Sequence, residues 1–274
     1  MRIRYVVSTT VFWGHEHPLS FEQECHFLKS LGFGIELWPN INGQGECRYE
    51  KRNWPRLAAA TKDMLVAMRS RDDRPTLEQW SEQIECAKML NASIVTDLQS
   101  LGITEPPLLR YAKQNGGGDG NGFVAELVEL AEQNNVKLCI ENGHLQAIKQ
   151  VGEKFDSICY CLDTGAANLD GEFSFKQYVD DLAPRTAHLH LTDNYGQTDD
   201  HRPPGLSRGI ARENWDYLLN TLSKYDNDVV GSFEMRPSMP AIMVRQASDF
   251  LFDVLKWPNP PHISFDRIIQ DLSC

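Results

Sequence analysis

The sequence predicts a (β/α)8 barrel, eight parallel strands closed into one domain by helical crossovers. Three observations carry this. Eight apolar runs rich in strand-forming residues recur along the chain, helical periodicity fills the intervals between them, and the 274 residues match the roughly 250 of a barrel folding around a single core. Strand-then-helix alternation forces neighbouring strands to run parallel, because a parallel return needs a long crossover.

Taken in order, the strand-like runs are Ile3 to Ser8, Gly34 to Trp38, Leu65 to Arg69, Ser93 to Leu98, Val136 to Glu141, Ile158 to Asp163, Thr186 to Thr192 and Val229 to Glu234. Helical spacing is clearest in Thr76 to Leu90, with apolar Leu77, Trp80, Ile84, Ala87 and Met89 or Leu90. Phe123 to Gln133 repeats it with Val124, Leu127, Val128, Leu130 and Ala131. Ser20 followed by Gln23 reads as a capping box, and Pro240 suits the first turn of a last helix. The glycines Gly116, Gly117 and Gly118, between Asn115 and Asp119, read as a βα connection. No GxGxxG follows the first strand and no Walker-type loop occurs, which sets aside an open nucleotide-binding sheet. From about Trp257 the chain turns proline-rich and leaves the barrel pattern, so this tail is expected to clasp the outside or join a homo-oligomer interface.

Composition narrows the function classes. Against 38 Asp and Glu stand 27 Lys and Arg, a net charge of -11, which offers no general attraction for nucleic acid or anionic lipid. No run approaches the roughly 18 apolar residues of a membrane span, and the N-terminus enters a strand without a signal-peptide core, so a cytoplasmic protein is expected. The seven cysteines include no CxxC pair. They are read as small core hydrophobes rather than a disulfide framework or a zinc site.

Catalytic groups of a barrel project from the carboxyl ends of its strands. Four late strands end in acids or imidazoles: Glu141, Asp163, the cluster His188, His190 and Asp193, and Glu234. Carboxylates facing one another need a counter-charge, and a divalent cation supplies it. Three carboxylates and one imidazole suit Mn²⁺, Mg²⁺ or Co²⁺ and can hold Zn²⁺. Period-two alternation puts His188 and His190 on one face, with His190 nearer the rim and assigned to the cation.

These residues resemble the xylose-isomerase-like TIM barrels, a family of sugar isomerases and epimerases, dehydratases and AP endonucleases. The segments that carry the resemblance are Gly34-Ile-Glu36-Leu-Trp38, Ile140-Glu141-Asn142, Leu162-Asp163-Thr164-Gly165, His188-Leu-His190-Leu-Thr-Asp193-Asn194 with Asp199-Asp-His201 and Pro204-Gly205, and Glu234. The resemblance implies that Glu141, Asp163, His190 and Glu234 hold one divalent metal. It also implies that Glu141 and Glu234 act as acid and base, moving a proton through a metal-stabilised enediolate.

Three departures accompany the resemblance. Ala166 stands where the family often has a histidine, the arginine expected just past the strand-seven histidine is missing, and the extra zinc-binding histidines of the endonucleases are absent at Arg69 and Asp97. A small sugar or polyol is therefore the expected substrate, with no nucleic-acid partner. Trp13, His15, Glu36, Trp38, Arg69, His144, His188, Asp199, His201 and Arg236 are the candidate substrate contacts. Isomerisation or epimerisation leads; loss of water from a keto-inositol or cyclic keto-acid, or a binding barrel without turnover, are the alternatives.

Overall fold

The computed structural model describes residues 1–14, 19–41, 44–71, 76–97, 121–205, 209–236 and 242–258. Its strands begin with β1 (Arg2–Ser8) and β2 (Gly34–Leu37), followed by a short antiparallel pair outside the barrel, β3 (Asn40–Ile41) with β4 (Gln44–Cys47). The barrel continues with β5 (Val66–Arg69), β6 (Ser93–Thr96), β7 (Leu138–Glu141), β8 (Cys159–Asp163), β9 (Thr186–His190) and β10 (Asp228–Phe233). All eight barrel strands are parallel to their neighbours, and β10 and β2 both pair with β1, closing the ring. The helices are α1 (Phe21–Ser30), α2 (Trp54–Ala60), α3 (Leu77–Leu90), α4 (Asn121–Gln133), α5 (Leu145–Lys154), α6 (Thr164–Leu169), α7 (Phe175–Leu182), α8 (Arg212–Leu222) and α9 (Ile242–Asp249).

Each of the eight apolar runs forms a barrel strand. Several stop short of the predicted end, because Trp38, Asp97, Leu191 and Glu234 have left the ladder; those side chains make the rim instead. The β3–β4 pair is unannounced in the sequence, since a two-residue strand shows no periodicity. Helix α4 begins at Asn121, two residues before the apolar spacing starts. The glycines 116–118, Pro240 and the tail beyond 258 lie outside the described residues.

Local signals fix the helix starts. Ser20 and Gln23 form the expected capping box at α1, and Thr76 with Gln79 and Ser174 with Gln177 do the same at α3 and α7. The core is double. Outward-facing strand residues such as Ile35, Met68, Ile94, Ile140 and Leu189 pack with the helices in one large cluster. Inward-facing Val6, Ala67 and Val230, and Val95, Cys139, Cys161 and Ala187, fill the barrel interior in two smaller ones. Trp257 closes the described chain against Trp215 of α8, ring centroids 6.0 Å apart.

One bulge matters for the site. Tyr160 pairs with Thr186 but Cys161 pairs with His188, so Ala187 is an extra residue in β9, and Asp163 comes to lie opposite His190.

Gly34 sits where β2 passes closest to β1 and β5; a Cβ there would stand 2.4 Å from the Leu65 carbonyl oxygen and 2.9 Å from Val6 Cγ1. Because the nearest obstacle is backbone, Gly34→Ala is expected to cost about 1–3 kcal/mol, read as a fall in the urea midpoint. An unchanged midpoint would show that the two strands separate freely.

Candidate active site

The carboxyl ends of β7, β8, β9 and β10 bring together Glu141, Asp163, His190 and Glu234. One donor atom from each lies within 4.8 Å of all the others. His190 Nδ1 is the hub, at 2.5 Å from Glu141 Oε1, 2.7 Å from Glu234 Oε2 and 3.9 Å from Asp163 Oδ2. One N–H can serve a single acceptor well, and Glu234 Oε2, although buried, makes no hydrogen bond.

Each ligand atom is aimed by its neighbours. Asp163 caps α6: its Oδ1 accepts from the Ala166 N–H at 2.8 Å and from Thr192 Oγ1 at 2.9 Å, which leaves Oδ2 for the centre. The Asn142 side chain accepts from the Asp163 N–H and donates to its carbonyl oxygen at 3.1 Å. Gly165 allows the close approach, since a Cβ there would meet Thr192 Oγ1 at 2.4 Å. Beneath His190, the fully buried Glu36 accepts from Nε2 at 3.1 Å, stands 3.3 Å from His188 Nε2 and accepts from Ser232 Oγ at 2.5 Å. With Nε2 facing Glu36, Nδ1 is turned toward the three carboxylates, and its lone pair is free for a cation only once its proton leaves.

Charge follows this geometry. Burial disfavours the His190 imidazolium, yet Cys161, Glu234, Glu36 and Glu141 together hold its pKa well above the ordinary value. Burial would raise Glu141 too, but Arg69 and His190 pull it below the usual carboxylate range. Asp163 is pushed up to about 6 by burial, with Glu141 and Glu234 adding to the rise. The centre is short of positive charge, and the protonated imidazole is a partial substitute for it. Three carboxylate oxygens and one imidazole nitrogen, one of those oxygens without a hydrogen bond, are a donor set that fits a divalent cation.

Above the centre lies a cavity of about 310 Å³ lined by Thr10, Trp13, Trp38, Asp199, Asp200, His201, Glu234, Met235 and Arg236. The indole N–H groups of Trp13 and Trp38 are buried there without an acceptor, their rings edge to face at 5.5 Å. His201 Nε2 donates to Asp199 Oδ2 at 3.0 Å, and the His201 backbone oxygen accepts from the Arg236 N–H at 3.1 Å. A larger cavity of about 410 Å³, lined by Arg2, Arg4 and Lys29 among others, opens at the amino end of the strands, away from these groups.

The structure does not seat every sequence candidate in the upper cavity. Glu36 and His188, expected to touch substrate, are fully buried under His190, because period-two alternation carries both one layer down the barrel. Arg69 is bound to Glu141 and stands 3.4 Å from Asp97, with its guanidinium 5.5 Å over the Trp38 ring, so it neutralises the rim. His144 precedes α5 and meets Glu172 at 3.5 Å and the edge of Phe173; it is not among the cavity-lining residues. His15 lies outside the described residues. Asp193 organises the following loop, accepting from the N–H groups of Asn194, Gly205 and Ile210. Asn142, Thr192 and Ser232 are not among the sequence candidates; their only signal is position, one or two residues from a strand-end ionisable group.

A closed barrel with a carboxylate and imidazole centre at its mouth defines a TIM barrel with an active-site-like cleft. The chain belongs to the xylose isomerase-like TIM barrel family, whose sequence profile matches residues 62–253. Solved structures of the same fold include a D-tagatose 3-epimerase-like protein, 17% identical over 92% of this chain and 97% of that one, TM-score 0.66. Another is a Thermus thermophilus protein soaked with ZnCl2, 18% identical over 92% and 99%, TM-score 0.64. A third is a D-psicose 3-epimerase in the presence of D-fructose, 17% identical over 84% of each chain, TM-score 0.59. No curated protein matches the sequence. Among the described residues, no helix is long and apolar enough to cross a membrane.

Removing Glu36 strands two buried imidazoles without their carboxylate. Glu36→Ala is expected to cost about 3–5 kcal/mol of folding free energy, with Glu36→Gln costing less because it keeps an acceptor. Equal losses in chemical denaturation would show that packing, not charge, is what Glu36 supplies.

Proposed function

We propose that the protein is a divalent-metal-dependent isomerase or epimerase of a small sugar or polyol carbonyl compound, working in the cytoplasm on a free small molecule. The observation that carries this reading is the four-residue centre opening into the cavity through Glu234. D-tagatose and D-psicose 3-epimerase names among structures of the same fold support the substrate class.

Glu141, Asp163, His190 and Glu234 would hold the cation, which when bound acts as a Lewis acid toward a substrate oxygen and offsets its developing charge. The remaining chemistry belongs to the chain. Glu234, whose Oε2 lacks a hydrogen bond and which lines the cavity, takes a proton from carbon. Glu141, tied by Oε2 to Arg69 and by Oε1 to His190, stays ionised until it exchanges a proton on the opposite side. Trp13 and Trp38 offer indole donors to substrate hydroxyls and exclude water from one wall.

A second reading, loss of water from a cyclic keto compound, is favoured by His201. Burial opposes its charge, but the Asp199 hydrogen bond and the fields of Glu234 and Asp163 push its pKa up to about 10. A cavity-lining imidazolium is an acid that could protonate a leaving hydroxyl.

Elemental mass spectrometry of untagged protein is expected to find near-stoichiometric Mn, Mg, Co or Zn, lost in His190→Ala and kept in Asp199→Asn. Protein that stays metal-free after incubation with each of those cations would leave a carbohydrate-binding barrel as the better description. In D₂O with a ketose panel, Glu141→Gln and Glu234→Gln are each expected to lower substrate C–H exchange by about 10²-fold or more. His201→Asn should spare exchange in an isomerase and abolish water loss in a dehydratase.

A further inference from the structure

The barrel interior carries chemistry that the reading above does not use. Cys139 of β7 and Cys159 of β8 are direct partners in the parallel ladder. Both point into the barrel, where Cys139 packs with Val95, Cys161 and Ala187, and Cys159 lies against that cluster. Registered residues on adjacent strands sit about 4.8 Å apart, inside the range of about 4.4–6.8 Å between Cα atoms that a disulfide spans. The two side chains share the inner face at the same level of the barrel.

Their exposures differ in a useful way. Cys139 is fully buried, whereas Cys159 is half-buried at the amino end of its strand. Its neighbour Cys139, helped by Lys137 and Arg185, brings Cys159 down to about 7 despite burial. Cys25, Cys86 and Cys161 are instead pushed up to about 12 by burial. Cys159 is the more accessible of the two and the easier to ionise, with Cys139 beside it in the ladder.

We propose that Cys139 and Cys159 form a reversible two-electron redox pair, a modification site at which a hydroperoxide converts the dithiol to a disulfide inside the barrel. The Cys159 thiolate attacks one peroxide oxygen, breaking the O–O bond to give the sulfenic acid and hydroxide. The Cys139 sulfur then attacks the Cys159 sulfur and expels hydroxide, which leaves as water with the Cys139 proton, while the proton that Cys159 lost on ionising neutralises the first hydroxide. Two thiols lose two electrons, and hydrogen peroxide becomes two waters. The bond would staple β7 to β8 two residues before Glu141 and four before Asp163, away from the centre itself.

The test uses the full chain as isolated. Hydrogen peroxide at a few equivalents is expected to lower the mass of the native protein by about 2 Da. A digest should link the Cys139 and Cys159 peptides, and dithiothreitol should restore both. In Cys139→Ser, Cys159 should instead accumulate as a sulfenic acid trapped by dimedone, an adduct that wild type lacks. The proposal is overturned if native wild type gains oxygen without a cross-link, if its mass stays unchanged while urea-unfolded protein oxidises, or if fragmentation of the linked peptide places the bond at Cys161 instead of Cys159. The wild-type arm needs no substitution, so a poorly folding variant cannot obscure the result.

Discussion

Bringing three carboxylates to one imidazole nitrogen costs free energy that grows as water is excluded, because like charges in a weakly polarisable interior repel strongly. The rest of the mouth is arranged around that cost. Arg69 takes up part of the charge of Glu141, Asp163 shares its second oxygen with a helix start, and Glu36 anchors the far side of the imidazole so that the ring cannot rotate out of the field. What these supports leave over is a net negative hollow at the head of the barrel, and the shortfall of positive charge there is what a cation answers.

The same arrangement explains why charge and packing are separated by layer. Below the centre small residues fill the interior, Val6 and Val230 from β1 and β10 and Ala67 and Val95 from β5 and β6. Around the outside, bulky apolar residues on the other face of each strand meet the helices. Around His190 the inner face carries Glu36, His188 and Ser232, each of which lies beside another of them.

Much of this is legible in the chain because two periodicities do the encoding. Strand runs and their order come from apolar content, and the quartet Glu141, Asp163, His190 and Glu234 comes from asking which ionisable residue ends each run. Depth is harder to read. Glu36 and His188 have the same sequence signature as a rim residue, since a strand of four or five residues does not say which of its inward positions is the last one wet. Nor does sequence separate Arg69 as a substrate contact from Arg69 as a partner of Glu141, because that depends on a residue 72 positions away. Asn142 and Thr192 are invisible for a related reason: their role is to aim another side chain, and amides or hydroxyls near strand ends are common for many causes.

The extra residue at Ala187 decides which changes of length β9 can absorb. Its presence as a supernumerary residue means that β9 is counted from two ends that disagree by one, with Thr186 in step with the floor and His190 in step with Asp163. Losing Ala187 alone would restore an unbroken alternation and keep His188 and His190 facing inward, whereas losing Leu189 would carry the second imidazole toward the helices. A gain or loss of two residues would restore the facing but move the imidazole by a whole layer. The spacing from His188 to His190 is what keeps both imidazoles on the inner face, and no substitution elsewhere replaces it.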